Sequence, residues 1–231
     1  MKKALGHFID MLRHHANRDG IFNPWRQVDK EHDVGRHAPA IRRRQLFQYL
    51  MERKSALYLL HGEALGYQGG HFTGIPMTSE RILLGGHKSR GILPEHVFSP
   101  SALEPRRTSR PDQKRQGFTE PTATIVWEQI VHSGKNPKSF ILWNAFPWHP
   151  YSPDSGMLSN RTPHSDEIET GDSFLIQLVK MSGVKEILAL GEKAQEQAHR
   201  LGIDSIKLRH PASGGSAEFR KQFRRLVGRR D

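Results

Sequence analysis

Short apolar runs alternate along this chain with longer segments whose apolar residues recur at three- and four-residue intervals. The runs Ala56–Leu60, Phe140–Trp143, Glu186–Leu190 and Ser205–Arg209 are strand-sized and are each followed by a turn. They predict four strands, the third stopping at Gly191. Helical spacing predicts helices over 3–17, with Ala4, Phe8, Met11 and Leu12 near one face, and over 40–53, with Ile41, Leu46, Tyr49 and Leu50 opposite arginines. Pro121 suits a first helical turn and opens a helix through Ile130. Ser165 is placed to cap a helix containing Phe174, Leu175, Leu178 and Val179, with Gly171 positioned to split it. Residues 192–201 and 216–227 predict two more helices. Phe22–Arg26 reads as a turn because Pro24 holds its predecessor extended. Strands alternating with helices predict a mostly parallel sheet with helices on both faces. No internal repeat or domain boundary is visible. The expectation is a single domain over 1–231, with an N-terminal helical arm over 1–54 and a basic, irregular insertion over 87–120.

Composition narrows the chemistry. The 231 residues contain no cysteine, which excludes disulfides and thiolate-held zinc or iron–sulfur centres. The histidines show no two-ligand helical spacing with an accompanying acid, so no metal is expected. No apolar stretch approaches the ~20 residues of a membrane helix, and the start has no signal-peptide core. A cytoplasmic monomer is expected. The formal net charge is +11, concentrated in Arg42–Arg44, in Arg106, Arg107, Arg110, Lys114 and Arg115, and in a tail with Arg220, Lys221, Arg224, Arg225, Arg229 and Arg230. That excess favours a polyanionic partner, nucleic acid first and membrane surface second.

Three loop-forming segments follow or close the predicted strands: His61–Gly70, Asn144–Pro150 and His210–Ser216. Open α/β sheets build their sites at such carboxyl ends. Glu63 can orient a water, act as a base or stabilise a cation; equally it can cap the next turn. The Asn144 amide offers two donors and an acceptor for reading a base edge, or it closes a turn. Phe146 and Trp148 either stack on a base or belong to the core. His210 can donate to an anionic leaving group, or be one surface histidine among 14. Ser213, Gly214, Gly215 and Ser216 precede a helix and offer backbone donors to a phosphate, or act as a flexible link.

Taken together, these segments resemble the uracil-DNA glycosylase superfamily. Gly62-Glu-Ala-Leu-Gly66 resembles the GEAPG motif of a bacterial branch, with Leu65 in place of proline. Thr73-Gly-Ile-Pro-Met-Thr-Ser79 resembles its TGIPFTS segment, and Leu142–Ala145 the strand bearing the base-reading Asn. Asn160–Pro163 and Leu190-Gly191 resemble intervening landmarks, and Arg209–Ser213 the HPS motif. Phe22–Arg26 is similar to the branch's N-terminal arm. The resemblance implies a three-layer α/β/α sandwich around a four-stranded parallel sheet. It also implies a monofunctional DNA glycosylase, without cofactor, that flips a pyrimidine nucleotide out of duplex or single-stranded DNA. Glu63 would hold the attacking water and stabilise the sugar cation, His210 the departing base, and Asn144 would choose the base. Ala64, Gly66, Tyr67, Phe72, Met77 and Phe146 would complete the substrate pocket. Ser213–Ser216, Arg220 and Arg224 would hold DNA.

The chain departs from that pattern at three places. Ala64 stands where many relatives carry Asp or Asn, leaving Glu63 the motif's carboxylate. Met77 replaces the Phe that stacks on the base, exchanging a flat wall for an adaptable thioether. Gly214-Gly215 replaces an aliphatic wedge. Uracil is the family's default base. A bulky modified cytosine, hydroxymethylated or glucosylated, as carried by phage DNA, is the alternative and would make the protein a defence factor. A non-catalytic nucleic-acid-binding module is a further alternative.

Overall fold

The strands run further than their apolar cores. Gly62, Glu63 and Ala64 continue the first strand, and Asn144–Phe146 continue the second, because Gly62 pairs with Asn144 and Ala64 with Phe146 across the sheet. The computed structural model describes residues 2–15 and 18–228. In chain order the elements are α1 (Lys2–His14), β1 (Ile21–Phe22), α2 (Ala38–Met51), β2 (Tyr58–Ala64), α3 (Gly70–Thr73), α4 (Glu80–Leu83), α5 (Pro94–Val97), α6 (Pro121–His132), β3 (Phe140–Phe146), β4 (His149–Pro150), α7 (Ser165–Thr170), α8 (Asp172–Ser182), β5 (Glu186–Leu190), α9 (Glu192–Arg200), β6 (Ile206–Leu208) and α10 (Ser216–Val227). The first helix stops at His14, and the end expected at residue 17 lies outside the described residues, as do Arg229 and Arg230 of the basic tail.

The central sheet has the order β3-β2-β5-β6 and is parallel throughout. Helices flank it on both faces, giving the expected α/β/α sandwich. Side chains on β3 alternate between the two layers. Phe140 faces Phe223 of α10 at 6.1 Å between ring centres, and Trp143 faces Phe8 of α1 at 5.5 Å. Asn144 therefore falls on the Phe140 side. On β2, His61 bonds Gln197 of α9 at 2.8 Å. The pairing of Gly62 with Asn144 sets the site's register.

β3 is an edge strand, and the first half of its free backbone is covered by α2 and the turn after it. The Tyr49 hydroxyl accepts from Leu142 N at 2.9 Å, and Arg53 Nε donates to Phe140 O at 2.8 Å. Arg53 is fully buried, yet its remaining donors reach Tyr49 O, His96 O and Val97 O. A buried guanidinium is tolerated only when its donors are so engaged.

Three expectations change. Arg42, grouped by sequence with phosphate-gripping arginines, is a core residue: it pairs with buried Asp33 and donates to Thr108 Oγ1, Pro24 O and Gln27 O. The 87–120 insertion is irregular, as expected, but anchored. The buried Glu80 carboxylate accepts from Thr108 N at 2.7 Å and Ser109 N at 2.9 Å, and Ile92, Val97, Phe98, Leu103 and Phe118 enter the core. Arg107 folds onto the carbonyls of Ser109, Lys114 and Arg115 rather than reaching outward. The helix from residue 165 is split at Gly171 as expected. A Cβ there would stand 1.9 Å from Ala145 O, so only glycine lets this junction approach β3. Its cap is His164, whose N–H donates to Glu167 at 2.8 Å, and not Ser165. No helix among the described residues is long and apolar enough to cross a membrane.

Candidate active site

A cleft of about 270 Å³ opens where β2 and β3 end. It gathers Glu63, Asn144 and His210 from three distant segments, together with Ala64, Gly66 and Met77. Gly62 forms its floor. A Cβ on Gly62 would lie 2.7 Å from Asn144 Oδ1 and 3.4 Å from Met77 Sδ and Cε. Glycine is thus required where the amide and the thioether close over the strand.

Asn144 is 1% exposed, and neither its Oδ1 nor its Nδ2 has a hydrogen-bond partner. An unpaired buried amide costs ~1–3 kcal/mol per group, so an amide facing a cleft in this state is poised for a ligand. Met77 carries the opposite kind of strain, a left-handed backbone (φ 47°) rare outside glycine. It is pinned there by Trp127 Nε1, which donates to Met77 O at 3.1 Å.

His210 has a defined tautomer. Its Nδ1 accepts from Ala212 N at 3.1 Å, so the neutral ring carries its proton on Nε2. Burial, reinforced by neighbouring Arg209, lowers its pKa and keeps the imidazole neutral at pH 7. Gly191 makes room for it: a Cβ there would be 3.4 Å from that of His210. The Gly214-Gly215 pair is no loose link. Gly214 adopts a left-handed turn (φ 75°), and a Cβ on Gly215 would meet His210 O at 2.1 Å. Burial raises the Glu63 carboxyl above its ordinary value, opposed by Lys193 and the Thr162 hydroxyl.

Three expected pocket residues lie elsewhere. Phe72 is fully buried and stacks on Phe118 with ring centres 4.4 Å apart. Phe146 is fully buried against Trp148, whose own indole donates to Leu12 O. Both are core residues because their positions point inward between layers. Tyr67 is outside the cleft lining; its backbone N–H donates to Asn160 Oδ1 at 3.0 Å, tying the motif loop to the 160 loop. Of the expected DNA contacts, Ser213 lines an adjoining groove, Gly214 and Arg224 are exposed, Gly215 is buried and Ser216 half-buried. Arg220 is committed to Glu128 at 3.0 Å, a carboxylate it shares with Arg90.

The cleft also contains Glu120 and Thr122, which the sequence did not single out, and Asn160, Arg161 and Ala212, which it placed in motifs without giving them a role of their own. Arg161 is held by Glu167 through two contacts of 2.7 Å. A Glu directly before the helix-opening Pro121 was the one signal for Glu120. Outside the cleft lining, His71 and His149 meet at 3.0 Å between their Nδ1 atoms, with Asp29 and Ser159 O at the two ends of the hydrogen-bonded row. Burial alone would raise the Asp29 carboxyl, but its bonds to His71 and His32 hold it well below the usual range.

The chain is similar in fold to SMUG2 of Pedobacter heparinus. The crystal structure of that wild-type protein aligns at a TM-score of 0.59 and 16% identity, over 96% of this chain and 97% of the other. The likeness is one of fold, extending across the whole architecture. No protein-family model matches the chain, and no curated protein matches it in sequence.

Proposed function

We propose that the chain is a monofunctional DNA glycosylase that takes an extruded pyrimidine nucleotide into the cleft and hydrolyses its base–sugar bond, uracil being the default base. The observation that carries this reading is the buried Asn144 amide, unpartnered on both atoms, in one cleft with Glu63 and His210. The fold shared with SMUG2 of Pedobacter heparinus, together with the motif resemblance, supports it.

The chemistry follows from the groups. Extruding a base costs a few kcal/mol, and the unpaired Asn144 donors and acceptor offer compensation on a base edge. Breaking the bond leaves a cation-like sugar and an anionic base. Glu63, at the strand mouth, stabilises the sugar and orients the attacking water. The Nε2–H of a neutral His210 donates to the departing base without needing to be charged. The exposed arginines supply the phosphate contacts and make affinity salt-dependent.

The test uses oligonucleotides carrying uracil, hypoxanthine, 5-hydroxymethylcytosine or its glucosylated form, scored for alkali-sensitive abasic sites. Glu63→Gln is expected to lower the excision rate by roughly 10²–10⁴-fold with DNA binding retained. Full activity in that variant removes Glu63 from the mechanism.

A second reading, excision of a bulky modified cytosine, draws on one observation. The cleft shares Gly66, Glu120, Thr122, Asn160 and Ala212 with the adjoining groove of about 340 Å³, so further space lies directly beside it. Met77, flexible where a flat ring would stand, suits a larger base edge. Met77→Phe is expected to shift a competition between uracil and glucosylated cytosine toward uracil; an unchanged ratio counts against this reading.

A further inference from the structure

Glu120 stands at the junction of the cleft and the groove and lines both. It precedes Pro121, the first residue of α6, and its side chain lies against the motif loop. A Cβ on Gly69 would be 1.7 Å from Glu120 Oε2, and one on Gly66 would be 3.7 Å from its carboxyl carbon. The loop is bare of side chains where the carboxyl passes. Glu120 Oε2 is nevertheless buried without a hydrogen-bond partner. A carboxylate oxygen that serves only structure is paired or solvated; Oε2 is neither, although the residue as a whole is half-buried.

We propose that Glu120 is a substrate-contacting residue, whose carboxyl hydrogen-bonds the base, or a substituent on it, at the mouth between the two chambers. The inference rests on the glycosylase reading and adds a contact to those of Asn144 and His210. Burial without compensation pushes the Glu120 carboxyl up to about 7, so below that pH it carries a proton to donate. The ionisable groups sharing its cavity are Glu63, Arg161 and His210. Arg161 is engaged by Glu167. On the α6 side, His87 bonds the hydroxyls of Thr119 and Thr124. A neutral carboxyl presents one donor and one acceptor. It fits an uncharged polar partner, a carbonyl or a hydroxyl, and rejects an anion.

The experiment compares wild type, Glu120→Gln and Glu120→Ala. Each is assayed for single-turnover excision of the panel base released fastest, from about pH 5.5 to 8.5, a window that brackets the Glu120 titration. Each is also assayed for binding to a duplex carrying a non-cleavable 2′-fluoro-2′-deoxyuridine, and for thermal stability. Expected are a wild-type rate that falls as pH rises through about 7, a Glu120→Gln profile flat in that window, and at least tenfold weaker selective binding by Glu120→Ala. Both variants are also expected to melt at or above the wild-type temperature, since the carboxyl removed holds one buried, unpaired oxygen. Unaltered selective binding by Glu120→Ala overturns the proposal. So does a lower melting temperature in both variants, which marks Glu120 as structural. If the wild type cuts no panel base yet loses selective binding on Glu120→Ala, the catalytic reading fails while the contact stands.

Discussion

Gly62 shows how one missing methyl group shapes a site. Its absent side chain is the space into which Asn144 and Met77 lean. Gly62→Ala is therefore expected to fold, yet to push the amide out of register. Misplacing a positioning group by about 1 Å costs on the order of a hundredfold in rate. Steady-state kinetics on the substrate identified by the panel, beside a circular-dichroism melt, checks this; wild-type kinetics would mean the amide tolerates displacement. His210 carries the same lesson. One backbone N–H fixes its tautomer, and two glycines, Gly191 and Gly215, shape the space around it.

At the level of elements, the buried arginines are the unexpected structural parts. Asp33→Asn would leave the Arg42 guanidinium buried beside a neutral amide. Breaking such a pair costs ~3–5 kcal/mol, a loss that urea denaturation would register; a change under about 1 kcal/mol would show that Thr108 and the two carbonyls suffice. The four strands and the long helices were legible in the sequence because period and length separate them. The β1–β4 ladder, two residues on each strand, was not, since two residues have no period. Asn144 and Glu63 were legible because polar residues end apolar runs. The misplacement of Phe72 and Phe146 has a physical cause: an aromatic beside a motif looks the same in sequence whether it faces a ligand or the core. Glu120 had no assigned role because its burial depends on Gly69, distant in sequence and brought to it only by the fold.

Over the whole molecule, the charge of +11 is partly spent indoors. Arg42, Arg53, Arg107 and Arg161 hold the chain together, so in the proposed glycosylase the phosphate grip falls to the outward ones, Arg224 and Arg225 among them. Replacing both with alanine is expected to weaken binding about equally across sequences and to flatten the salt slope by about 1 for each phosphate left unneutralised. Fluorescence anisotropy at several salt concentrations measures it, and an unaltered slope would assign the phosphate grip to other arginines. The seal that Tyr49 and Arg53 place on β3 reaches beyond this one molecule. A strand from another copy finds no free donor or acceptor at Leu142 N or Phe140 O, and the opposite margin, β6, is three residues long. Self-templated sheet growth is denied a footing at both flanks.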